Sequence, residues 1–211
     1  MKNFSFSIFN IVSIFSIILL IVLILIPFNL INLEQVERIA KWKVEYEKLV
    51  YTFDLIKLHE GTIVPTNEEA GKLVTNEYML ERAMPYVHFQ ADKPEKIKNY
   101  KYKKMNGTPV KKTSRYYFDE FVMKNNGVIL GFNKNDSEAA DDKAPLYYMF
   151  VDINGKEKPN RIGQDIFFMS IYKDSVTALG NGKTHARLKA DCSPIGRGVY
   201  CSEYYLLGGS F

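Results

Sequence analysis

From Asn3 to Leu33 the chain carries no charged side chain. The core of that run, IFNIVSIFSIILLIVLILIPFNLINL, is apolar at nearly every position. A helix crosses a bilayer with roughly 20 apolar residues, so the length predicts an uncleaved signal anchor over 1–33. A secretory signal peptide has an apolar region of about 7–15 residues and a small-residue cleavage site, neither of which fits this run. Pro27 lies inside it, where a proline removes one backbone hydrogen bond and kinks the helix. After the run the pattern changes period without a break. Val36, Ile39, Trp42, Tyr46, Leu49, Phe53 and Ile56 recur at spacings of three and four, with Glu and Lys over much of the remainder. That is one face of an amphipathic helix. We therefore expect a single helix from about residue 5 to about residue 59, apolar all round at first and then amphipathic over 34–60. Its stripe should bury against a sheet made by the rest of the chain.

Gly61 and Pro65 stop that helix. The stretch TNEEAGKLVTNEYMLERAM predicts one or two short helices, with Thr66 or Asn67 as the cap. Three short aromatic and β-branched runs then read as strands: GVILGF (127–132), LYYMFVD (146–152) and DIFFMSIY (165–172). The polar run NKNDSEAADDKAP separates the first two as a loop. The expected fold is α+β: a long N-terminal helix, half transmembrane and half amphipathic, packed on a small, mostly antiparallel sheet in a head spanning 61–211.

The composition is that of a folded protein, 46% hydrophobic and 25% charged, and a net charge of +4 is too mild to imply nucleic acid by itself. The charge is uneven, however. Lys93 to Arg115 holds nine basic residues and one acid, with Tyr100 and Tyr102 alternating with lysines. Lys98, Lys101, Lys103, Lys104, Lys111 and Lys112 are the candidate contacts to a polyanion such as DNA or an anionic lipid headgroup. A solvated loop that keeps the domain soluble is the plainer reading. The basic residues after the apolar run lean weakly toward a C-terminal part kept inside. The two cysteines point the other way. Cys192 and Cys201 flank a Pro- and Gly-containing loop, CSPIGRGVYC, the spacing of an exported disulfide.

The histidines His59, His88 and His185 show no metal spacing, and no nucleophile elbow, phosphate-binding loop or dinucleotide fingerprint occurs. We expect a structural or binding protein and not an enzyme. In VDINGKEKPNRIGQDIFF, Asp152, Asn154 and Asp165 supply the oxygens that Ca²⁺ takes, and calcium is the one cofactor the sequence suggests. The same residues build Asx turns without any metal.

These parts together resemble the type IV pilin and type II secretion pseudopilin superfamily. The resemblance rests on the helix with its two halves, on D-x-N-G-x-x-x-P-N-x-x-G-x-D-x-F over Asp152–Phe167, and on the Cys192–Cys201 loop near the C-terminus. The family's cleavage motif, a glycine followed by F-T-L-[IV]-E, is replaced here by MKNFSFSIFNIV. The resemblance implies a membrane-anchored structural subunit, single-pass in the cytoplasmic membrane, with its head outside. Its helix would associate with copies of itself or with other pilin-like subunits and with lipid. It also implies that Asp152–Asp165 links two core strands, with Phe167 and Phe168 on opposite sheet faces. A membrane-tethered module holding a polyanion through Lys93–Arg115 is the second expectation.

Overall fold

A computed structural model describes residues 8–65, 75–87, 96–98, 100–135 and 144–210, and within the first helix it does not describe the side chains of 8–10 and 23–32. The chain divides into two units, Met1–Glu37 and Arg38–Phe211. Helix α1 runs Ile8–Glu60, as its unbroken periodicity predicts. Ile11 to Val22 show large apolar side chains to solvent on every side of the helix, Phe15 at 69% and Leu20 at 61%.

The transmembrane expectation does not hold. Among the described residues no helix is long and apolar enough to cross a membrane. The apolar stretch with described side chains, 11–22, spans about 18 Å as a helix, against the roughly 30 Å of a bilayer core. The remainder of the predicted span, with the expected Pro27 kink, lies outside the described side chains. The transmembrane half of the pilin-like fold, the single-pass location and the membrane-anchored subunit or membrane-tethered module are corrected accordingly. The α+β class stands.

In the second unit, six strands form one antiparallel sheet in sequence order: β1 (Ile97–Lys98), β2 (Glu120–Met123), β3 (Ile129–Lys134), β4 (Tyr147–Asp152), β5 (Ile166–Ile171) and β6 (Val176–Ala178). Helix α2 (Asn76–Ala83) is capped by Thr75, whose Oγ1 accepts from Tyr78 N at 3.2 Å. The expected caps Thr66 and Asn67 lie outside the described residues. Two short helices, α3 (His185–Asp191) and α4 (Cys201–Leu206), close the chain.

β4 and β5 are buried along their whole length, so each strand feeds two cores. Tyr147, Met149, Val151, Phe167, Met169 and Ile171 face the core that holds Trp42, Leu49, Phe53 and Ile56 of α1. Tyr148, Phe150, Ile166 and Phe168 face a second core, with Tyr102, Phe118 and Phe121. Strand alternation makes this division, and it puts Phe167 and Phe168 on opposite faces as expected.

Ring stacking, an indole hydrogen bond and a buried ion pair fasten α1 within the second unit. The Trp42 ring stacks on Phe167 at 4.6 Å between centroids, and its Nε1–H donates to Ser202 O at 2.9 Å. Ile39 and Tyr46 pack half-buried beside it. Val36, expected in the stripe, is 65% exposed. Glu45, itself buried, pairs with Lys124 Nζ at the end of β2 and accepts from Asn126 Nδ2 at 3.2 Å.

A buried pair of this kind costs most when only one partner is removed. Lys124→Met alone leaves the Glu45 charge buried and unmatched and should cost about 3–5 kcal/mol. Glu45→Leu combined with Lys124→Met should recover most of that loss in urea unfolding. Two single changes each costing less than about 1 kcal/mol would contradict the pairing.

Candidate functional site

Two places carry residues singled out in the sequence, and a third holds residues that the sequence did not mark. The first is the link between β4 and β5. Asp152 ends β4, and its Oδ1 accepts from Asn154 N at 3.0 Å and Gly155 N at 2.9 Å. Asp165 closes the other end, accepting from Asn160 N and Arg161 N at 2.7 Å each. The two carboxylates thus hold the link by backbone N–H groups, which is Asx-turn chemistry. Gly155 has φ 70°, and a Cβ there would run into the Gly127 carbonyl oxygen. Gly163 has φ 83°, and a Cβ would lie 2.6 Å from Cys201 Sγ, so this glycine lets the link approach the disulfide loop. Among the described residues no group of three or more His, Cys, Asp or Glu is placed to hold a metal ion. Asn154, the third expected calcium ligand, donates from Nδ2 to Lys158 O at 3.2 Å and keeps its Oδ1 buried without a hydrogen-bond partner.

Tyr100 completes this centre. Its hydroxyl meets Asp152 Oδ2 and lies 2.9 Å from both Gly155 O and Asn160 Oδ1. One phenolic hydrogen cannot serve three acceptors. In its protonated form Asp152 would bring a second donor. Burial chiefly pushes the Asp152 carboxyl up to about 8; the Tyr100 hydrogen bond opposes this, and the charge of Asp165 adds to it. Burial likewise raises Asp165, against its bonds from Arg161 and Asn160. Sequence periodicity could not show that Tyr100 reaches this turn from a distant segment.

The second place is the basic segment. Lys101 and Lys103 are exposed while Tyr102, between them, is buried, and its hydroxyl donates to Tyr116 O at 2.8 Å. The Lys–Tyr alternation is therefore an extended edge whose tyrosines pack inward. Lys98, Lys111 and Lys112 are exposed, and Lys104 is half-buried. Residues 93–95 and 99 lie outside the described residues. Arg115, by contrast, donates to the Tyr148 hydroxyl of β4 at 3.2 Å, a contact that the sequence does not signal.

The third place is the outer face of α1. Val44, Tyr51 and Leu58 are 52%, 65% and 75% exposed, seven residues apart and opposite the buried stripe. Glu47 and Asp54 run along one side of this ladder and Lys41 and Lys48 along the other.

The expected disulfide is present: Cys192 and Cys201 are bridged, with Cα atoms 4.9 Å apart. Asp191 knits the loop, accepting from Arg197 Nε at 2.9 Å and Tyr200 N at 2.8 Å.

No protein-family model, no curated protein and no solved structure matches this chain. Assignment to a type IV pilus or a type II secretion system needed both a family match and a membrane-spanning helix; no family model matches, and among the described residues no helix is long and apolar enough to cross a membrane.

The raised Asp152 carboxyl sets a pH dependence. Its folded value lies above the roughly 3.9 of an unfolded aspartate, so its contribution to stability is complete below that value and is lost as pH rises to about 8. The unfolding midpoint should therefore fall between pH 4 and 8, and Asp152→Asn should flatten that fall. Identical pH profiles for the two proteins would contradict the assignment.

Proposed function

We propose that this chain is a structural protein that works by associating with copies of itself through α1, and not an enzyme. The observation that carries this reading is the second apolar face of the helix. The Trp42–Ile56 stripe is consumed by the sheet. Ala40, Val44, Tyr51 and Leu58 form another stripe on the opposite side, exposed throughout. Coiled-coil helices pack along two apolar positions per heptad; Val44, Tyr51 and Leu58 fill one of them, and charged residues flank it.

The flanking charges select the partner and its direction. Acidic Glu47 and Asp54 lie on one side of the seam, and basic Lys41 and Lys48 on the other. In a parallel pair related by two-fold symmetry, unlike flanks meet; in an antiparallel pair, like flanks meet. A second copy packed parallel therefore satisfies both the apolar seam and the charges. Independently, the exposed apolar side chains of 11–22 supply a helix apolar all round, which is stable only when covered. From the pilin resemblance this reading takes only the bundling of helices.

Size-exclusion chromatography with light scattering on the full chain in mild detergent tests it. Wild type should be larger than a monomer. Tyr51→Glu should shift it toward monomer by at least tenfold in dissociation constant, with an unchanged circular dichroism spectrum. Glu47→Lys with Asp54→Lys should weaken self-association similarly, and mixing with Lys41→Glu plus Lys48→Glu should restore a mixed assembly. A monomeric wild type would sink the proposal.

A further inference from the structure

The sheet face turned away from α1 carries a grouping that none of the expected sites contains. Two open pockets, ≈ 270 and ≈ 190 Å³, adjoin there and share Arg115 and Tyr116 in their walls. Lys104 and Arg197 line the first; Lys183 and Tyr200 line the second. These six residues come from four separate stretches of chain. Among the described residues, no Asp or Glu lines either pocket.

The local chemistry is matched to an anion. Arg115 is exposed, and its guanidinium donates to the Tyr148 hydroxyl, not to a carboxylate, at 3.2 Å. The Arg197 guanidinium stands over the Tyr200 ring at 5.6 Å and pairs through Nε with Asp191 Oδ1 at 2.9 Å, which offsets its charge. Tyr116 packs against Tyr148 at 5.8 Å and Phe168 at 5.5 Å, which fixes it on the floor shared by both pockets. Each pocket is below the roughly 300–1,000 Å³ that encloses a small ligand. Two such pockets joined through a shared arginine and tyrosine form a track instead, with a cation at each end and aromatic rings between.

We propose that this track binds single-stranded nucleic acid, with phosphates on Arg115, Lys104 and Lys183 and bases against Tyr116 and Tyr200. A duplex keeps its ring faces stacked and offers nothing to the tyrosines. A single strand exposes both phosphates and rings, and aromatic stacking makes such binding tolerant of sequence. This site shares no residue with the helix seam, and of the basic segment Lys93–Arg115 it takes Lys104 and Arg115.

The test is fluorescence anisotropy of the full-length protein with a labelled single-stranded oligothymidylate at 50 and 200 mM salt. Binding should weaken steeply with salt. Arg115→Gln should lower affinity about tenfold and reduce the salt slope by about 1. Tyr200→Leu should lower affinity several-fold with the salt slope kept, a split that a purely electrostatic patch would not give. Lys98→Gln with Lys101→Gln, off the track, should stay within about twofold of wild type on the contact-sorting logic. No binding at 50 mM salt would overturn the proposal, as would Arg115→Gln binding like wild type. Equal affinity for a duplex of the same length, or for a sulfated polysaccharide, would also overturn the single-strand assignment.

Discussion

The stack of Trp42 on Phe167 is the contact on which the remaining structure depends. It sets which face of α1 is buried, and so which face is left outside. Phe167 stands at the start of β5, where alternation sends Phe168 to the opposite core. One strand thus ties the helix to one side of the sheet and the aromatic layer of Phe118, Phe150 and Phe168 to the other. The Trp42 indole reaches Ser202 at the start of α4, and Ser202 Oγ accepts from Phe168 N at 2.8 Å. Helix, central strand and disulfide-bearing C-terminal segment are therefore joined within a few residues. The Glu45–Lys124 pair adds little net strength, because two buried charges gain little over apolar packing, but losing one partner alone is costly.

Both surfaces with functional interest follow from that arrangement. Fixing Trp42, Leu49, Phe53 and Ile56 inward forces Val44, Tyr51 and Leu58 outward on a helix of 3.6 residues per turn. Filling the far face of the sheet with rings leaves Arg115, Tyr116 and Tyr200 around an open track. The turn from Asp152 to Asp165 serves neither surface directly. It holds β4 and β5 in register, and through Gly163 it lets the disulfide loop sit close; the Tyr205 hydroxyl donates to Gly163 O at 3.1 Å.

Much of the second unit was legible in the sequence because its signals are local. The three-and-four spacing of α1, the strands at 127–132, 146–152 and 165–172, and the Cys192–Cys201 loop each depend on neighbours in sequence. Val36 did not follow its stripe and is exposed. The apolar run was read by length alone, and the described stretch of it falls short of a membrane span. The oxygen centre at Tyr100 and the track at Arg115 were not legible at all. Each joins residues some tens of positions apart, and single-sequence periodicity carries no such pairing. The lysine-rich segment drew attention by composition, yet its tyrosines serve the core and the more distinctive cation is Arg115 at its end.

The central claim is that α1 lies between two apolar surfaces, one supplied by its own sheet and one by a parallel second copy. Cysteine cross-linking of the full chain tests this most directly, because among the described residues no native cysteine is free. Val44→Cys and Leu58→Cys proteins, oxidised separately, should each form a covalent homodimer, since parallel helices in register bring like positions together. Cross-links that form only when the two variants are mixed would show an antiparallel pair, and none in any combination would show that the outer face of α1 meets no second copy.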